Sequence, residues 1–207
     1  MTDPSQTSRA RQTAAALAAL AYAFLALRLA LSFEEKGGLL PALSHLSHYF
    51  TILTNLLVAL MLTAVVLRRA VAPAILLALT ISILIVGAVY HVLLAHLVDH
   101  QGSEALADQG VHTVVPILTV LWWLAFAPKP PLTLRDPLIW AVWPLIYCVY
   151  ILIRAAGDGV YPYFFLNLPE LGATRLSMNV AGLAVLFIAT GYALIGVARL
   201  FRRGQVA

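Results

Sequence analysis

A hydroxyl within reach of a neutral imidazole is the nucleophile-and-base half of a hydrolytic site, and its two parts need not be neighbours in sequence. This chain offers them in two apolar segments. The first, "SHYFTILTNLLVALMLTAVVLRR" at 47–69, places His48, Tyr49, Thr51, Thr54 and Asn55 in its opening turns. The second, "GVHTVVPILTVLWW" at 110–123, carries His112, Pro116, Thr119 and Trp123 along one stripe. At about 100° per residue, His48, Thr51 and Asn55 share a helix face that lipid would reject, whereas Thr54 points away from it. In this reading Thr51 attacks an ester carbonyl while His112 takes its proton and later returns it to the leaving alcohol.

Further expectations attach to the pair. Pro116 lacks the N–H that would bond the carbonyl of His112, so a bend with a free backbone acceptor is expected there. His112 is expected in the first turn of its helix, where unpaired N–H groups and the positive dipole end disfavour imidazolium. Helix N-termini, with Asn55 one turn deeper than Thr51, are expected to supply oxyanion donors. Asp108 lies near His112 in sequence but in an expected loop, and no orienting third member is assigned. The structural alternatives are ordinary: a threonine hydroxyl bonding back to a carbonyl one turn earlier, and a histidine held by an interfacial carbonyl.

All six histidines, His45, His48, His91, His96, His100 and His112, fall in outer loops or at the outer ends of the second to fourth apolar runs. His48 and His91 are therefore expected to support the pair. An alternative is a metal or haem site from His48, His91, His96 and His112, since imidazole suits Zn, Cu and Fe. Against it, no His-Glu-x-x-His motif is present, and His91 and His96 point about 140° apart on a helix. Farther along, Trp140, Trp143, Tyr147, Tyr150 and Arg154 fall within one arc. Arg154 either snorkels to headgroups or pairs with the carboxylate of a fatty-acid-like ligand. The expected site is thus Thr51 and His112 as catalytic residues, with His48, Asn55, His91, Trp143, Tyr147, Tyr150 and Arg154 supporting them or binding substrate. No metal and no cofactor is expected.

The elements that position these residues follow from composition. Of 207 residues, 62% are hydrophobic and 11% charged, with a mean hydropathy of +0.91; an ordinary soluble domain has about 25% charged residues. The expected fold class is all-α integral membrane, a six-transmembrane-helix bundle. Measured against the roughly 20 residues that a hydrocarbon core requires, the spans are expected at 13–33, 46–67, 73–98, 111–127, 138–156 and 178–199, in one domain over 13–199 between tails 1–12 and 200–207. With the N-terminus inside, Arg9, Arg11, Arg68, Arg69, Lys129, Arg135, Arg199, Arg202 and Arg203 all face the cytoplasm, leaving Lys36 and Arg175 outside. Both termini are then cytoplasmic, and "EEKGGLLPALSH", "DHQGSEALADQG" and "GDGVYPYFFLNLPELGATR" are outer loops. The net charge of +4 sits at helix ends, which excludes a nucleic-acid patch. Cys148 is the single cysteine, so no intrachain disulfide forms. The Ala/Leu/Arg-heavy composition points to a bacterial cytoplasmic membrane, with the site near the outer leaflet.

In this order along the chain, "YFTILTNLLVALM", "GVHTVVPIL", "WPLIYCVY" and "GVYPYFFLN" resemble the androgen-induced protein family, whose bacterial relatives are six-helix membrane proteins. The resemblance covers nearly the whole chain and is most specific around "YFT" and "HT..P". It implies a hydrolase with a threonine nucleophile and a histidine partner, cleaving fatty acid esters of hydroxy fatty acids. The threonine after the aromatic pair is Thr51, and the histidine of "HT..P" is His112. One departure stands upstream, where the family pattern implies Asn-His and this chain has Asp108-Gln109. The expected partners are accordingly a membrane lipid or fatty-acid-ester substrate and the bilayer. A non-catalytic lipid-binding or transport bundle is the alternative outside hydrolysis and metal binding.

Overall fold

The computed structural model describes residues 4–129 and 136–203. Arg135, most of the "PKPPLTLRD" connection and residues 204–207 of the basic tail lie outside them. The described residues form helices and turns, with no strand among them. Five helical stretches are long and apolar enough to cross a membrane, or six if one bent helix pair counts as a single span. That is the character of a multi-pass membrane protein. The chain folds as two compact units, Met1–Pro130 and Pro131–Ala207.

In the first unit, α1 (Pro4–Lys36) lies chiefly against α3 (Phe50–Val66). Ala14, Leu17, Ala18 and Ala21 are buried at helical spacing. Three alanines in that stripe let the backbones approach, and close van der Waals packing is what holds helices together in lipid. Across the interface Val58, Ala59 and Leu62 are fully buried on α3. Helix α4 (Pro73–Val89) opens with proline in its first turn, where the missing N–H costs nothing. It is buried at nearly every position from Leu76 to Gly87, as a helix apolar all round should be. Its hydroxyls close on its own backbone: Thr80 donates to Leu76 O at 2.7 Å and Ser82 to Ala78 O at 2.8 Å.

Two expected spans take a different form. The run 46–67 is not one helix: α2 (Leu39–Leu46) and α3 meet at a 96° bend across residues 47–49. Ser47 Oγ donates to Ser44 O at 2.8 Å, and His48 Nδ1 donates to Ser44 O at 3.0 Å and His45 O at 3.1 Å. These side chains satisfy the last carbonyls of α2, which ends the helix. Tyr49 is extended, φ −96° and ψ 122°, and the helix restarts after it. Likewise "DHQGSEALADQG" is mostly helix rather than loop. Helix α5 (Gly102–Gln109) runs through a π-helical turn, Gly110–Val114, into α6 (Val115–Phe126). A second π turn, Tyr90–Leu94, follows α4 and is succeeded by a 3-10 turn, Ala95–Leu97.

Gly110, which opens the α5–α6 π turn, sits against α1. A Cβ there would lie 2.2 Å from Cδ1 and 2.3 Å from Cγ of Phe24. Gly110→Ala should therefore destabilise the protein by about 1–3 kcal/mol, seen as a lower melting temperature in detergent. Adding Phe24→Ala should recover part of the loss.

The second unit contains α7 (Asp136–Asp158), with Pro144 inside it, and α8 (Leu168–Arg203). The expected last span, 178–199, is the body of α8, which begins ten residues earlier and bends at Gly172, φ 70° and ψ 164°. Part of the expected outer loop is thereby helical, and the rest carries a 3-10 turn at Phe164–Leu166. Asn179 Nδ2 pins that loop by donating to Phe165 O at 2.9 Å.

Candidate active site

The π turn at Gly110–Val114 creates a backbone problem and Asn55 solves it. Val115 N–H bonds Gly110 O, five residues back, so it is diverted from Val111 O, its partner in an α-helix. The next candidate donor, residue 116, is proline and has no N–H. Asn55, fully buried on α3, donates Nδ2 to Val111 O at 3.1 Å and to Thr51 O at 2.8 Å. Both amide hydrogens are spent on carbonyls, which takes Asn55 away from the oxyanion role expected of it. It ties α3 to the α5–α6 rod instead. Asn55→Leu, which keeps the volume and removes the donors, should cost about 1–3 kcal/mol through the orphaned Val111 carbonyl, measurable as a fall in melting temperature.

That tie brings the two chemical residues together. Thr51 Oγ1 lies 3.2 Å from His112 Nε2. On its other side the ring presents Nδ1 to Asp108 Oδ1 at 3.0 Å and to Asp108 O at 3.1 Å. A carbonyl and a carboxylate only accept, so Nδ1 carries the proton and Nε2 offers its lone pair. Thr51 then donates its hydroxyl hydrogen to Nε2. Asp108 is buried, and its second oxygen, Oδ2, accepts from the Tyr90 hydroxyl. The Tyr90 ring also stacks on the imidazole, centroids 4.0 Å apart and planes 11° from parallel. Tyr90 thus fixes both the plane of the base and the carboxylate that orients it.

The two π turns face each other across this cluster. Gly87 lets α4 lie close to the α5–α6 rod, since a Cβ would stand 3.0 Å from His112 O and 3.3 Å from Pro116 Cβ. His112 itself lies well inside the continuous Gly102–Phe126 rod. The positive helix end expected beside it is therefore at Gly102, and the ring is held by Asp108 and Tyr90 rather than by a helix dipole. At the start of α3, the first amide to find an intrahelical acceptor is Leu53 N–H, bonded to Tyr49 O at 3.2 Å. The amides of Thr51 and Ile52 precede it and remain available, as the early N–H groups of a helix are.

The other expected residues are distributed as follows. His48 is buried and caps α2, as described above. His91 Nε2 donates to Thr113 Oγ1 at 2.8 Å, and Thr113 donates to Gln109 Oε1 at 2.7 Å. His91 and His112 both line a groove of about 320 Å³ whose walls include Leu84, Pro116, Ile117 and Val120. Among the described residues no three His, Cys, Asp or Glu side chains are grouped to hold a metal ion, and His100 pairs with Glu104 at 3.3 Å. In the second unit, Tyr147 is buried against the rings of Tyr150 and Tyr163, with centroids 6.3 and 6.4 Å away. Trp143 is half-buried. Arg154 donates to Tyr150 OH at 2.8 Å and to Asp158 Oδ2 at 3.2 Å, so its guanidinium is engaged within its own helix.

Sequence reasoning left two members of the cluster unassigned. Asp108 precedes His112 by one helical turn, a readable spacing once 102–109 is helix. Tyr90 has no comparable signal, because only the packing of α4 against α6 brings it there. Set against protein-family models, curated proteins and solved structures, the chain finds no match in any of the three comparisons.

Proposed function

We propose that the protein is an intramembrane threonine hydrolase acting on lipid esters, of which fatty acid esters of hydroxy fatty acids are the class implied by its resemblance to the androgen-induced protein family. The reading rests on one observation: Thr51, His112 and Asp108 form a hydrogen-bonded relay of hydroxyl, imidazole and carboxylate, at 3.2 and 3.0 Å. In the proposed arrangement six spans leave both termini in the cytoplasm, and the site works near the outer leaflet of a bacterial cytoplasmic membrane.

Thr51 Oγ1 attacks the ester carbonyl as His112 Nε2 takes its proton, and Asp108 stabilises the resulting imidazolium. The tetrahedral oxyanion is met by the Thr51 and Ile52 amides at the start of α3. Collapse expels the alcohol, which receives the proton from Nε2 and leaves acyl-Thr51. Water, deprotonated by the same imidazole, then releases the fatty acid and restores the hydroxyl. The groove beside His112 is apolar and matches in size the smaller ligand pockets, which suits an acyl chain entering from the lipid side. No metal or other cofactor has a part in these steps.

A fluorophosphonate probe on purified protein tests the reading. Wild type should form an adduct on Thr51, found by mass spectrometry; Thr51→Ala and His112→Ala should abolish it, and Thr54→Ala should leave it intact. Absence of labelling on folded wild type, or labelling indifferent to both changes, would discard the threonine mechanism in favour of a non-catalytic lipid-binding or transport bundle.

A further inference from the structure

At the end of α3 away from Thr51, the chain gathers cations. The helix closes with Arg69 N–H on Ala64 O at 2.9 Å and Arg68 N–H on Val65 O at 3.1 Å. Such a closure puts the residue after the C-cap into left-handed backbone, the position glycine usually fills. Here it is Arg68, φ 56°, the only non-glycine with positive φ among the described residues. From α1, Arg11 Nε reaches the same helix end and donates to Val66 O at 3.3 Å. Arg11, Arg68 and Arg69 line one cavity of about 840 Å³ together with Ser8, Trp122 and Phe126. Among the described residues no Asp or Glu lines that cavity, and none of the three arginines has a carboxylate partner there. A helix dipole accounts for one cation beside terminal carbonyls. Three guanidinium groups around one concavity, one of them on a backbone that disfavours any side chain, call for an anion.

We propose that this cavity binds a phosphate anion, carried by the headgroup of an anionic phospholipid. Guanidinium forks match phosphate oxygens and hold them by paired, charge-assisted hydrogen bonds. Trp122 and Phe126 supply the apolar wall against which the glycerol and first methylenes of a lipid lie, which a free ion would leave unused. The 17 residues of α3 set the cavity about 25 Å from Thr51, close to the thickness of a hydrocarbon core. The two sites therefore address opposite faces of the membrane, and this one is independent of the hydrolase reading. Basic pockets between spans are where anionic headgroups bind specifically; arginines that only snorkel would give no saturable site.

The test is the melting temperature of the full chain in neutral detergent, titrated separately with phosphatidylglycerol, phosphatidylcholine and inorganic phosphate. Phosphatidylglycerol should raise it saturably and phosphatidylcholine should not. Arg11→Gln and Arg69→Gln should each weaken the apparent affinity about tenfold, while Arg9→Gln, outside the cavity, should not. Arg68→Gly supplies the sharpest arm. Glycine suits φ 56°, so the lipid-free protein should melt higher than wild type while its response to phosphatidylglycerol falls, a combination that misfolding does not produce. A saturable shift with inorganic phosphate and none with lipid would keep the phosphate chemistry and overturn the lipid carrier. Equal responses to both lipids, or losses in Arg9→Gln equal to those in the cavity variants, would overturn the site altogether.

Discussion

Thr51→Ala is expected to lower ester turnover by about 10⁴- to 10⁶-fold, the range seen when the nucleophile of a hydrolytic triad is removed. That corresponds to about 5–8 kcal/mol of lost transition-state stabilisation. Folding should survive, because Thr51 Oγ1 spends its hydrogen bond on His112 Nε2 and removing a hydroxyl and a methyl leaves a small gap. Thr51→Ser is the informative companion, since it keeps the attacking oxygen and should retain most of the activity that alanine loses. Steady-state hydrolysis of a fatty acid ester of a hydroxy fatty acid, with melting temperatures measured beside it, checks both. An alanine variant within tenfold of wild type would mean that the hydroxyl is not the attacking group.

Asp108→Asn is the second large effect, expected at about 10³- to 10⁴-fold in kcat with KM little changed. The substitution is nearly isosteric, so the cluster can keep its packing. What changes is charge and direction. An amide cannot stabilise the imidazolium as a carboxylate does, and its NH₂ can face Nδ1 and force the proton to Nε2, the wrong side for a base aimed at Thr51. Tyr90→Phe isolates the remaining contribution: it removes the hydroxyl from Asp108 Oδ2 and keeps the ring stacked on His112. Its loss in kcat should fall well short of that in Asp108→Asn. If the two variants lose equally, Asp108 acts by fixing the cluster's shape and not by its charge.

Much of the scaffold is readable without coordinates, because the threshold for an apolar span depends on residue type and run length alone. The inward face of Thr51 and Asn55 on α3 follows from helical angles in the same way, whereas His48, expected on that face, sits in the break before the helix and caps α2. What escapes is whatever depends on one residue meeting another. The break at 47–49 needs Ser47 and His48 to turn back onto carbonyls, and hydropathy carries no trace of it. Helix α5 looks like a loop because its sequence lacks the apolar run that marks a span, yet Ala107 and Asp108 are buried. Reading it as loop is what hid Asp108 from His112. The acceptor of Asn55 escapes for a related reason: one of its donors is claimed by a carbonyl, Val111 O, that becomes free only when the helix around it widens.

Each widened turn holds one residue more than a regular helix would need there. The rod from Gly102 to Phe126 is thus two helices, α5 and α6, joined out of phase through the Gly110–Val114 turn. Deleting a single residue within that turn would restore an unbroken repeat and swing α6 by about 100° around the axis relative to α5. The long helix would survive such an excision, while the alignment of His112 with Thr51 would not. In a related chain, a one-residue gap in that turn would mark a protein that keeps the scaffold and has given up the chemistry.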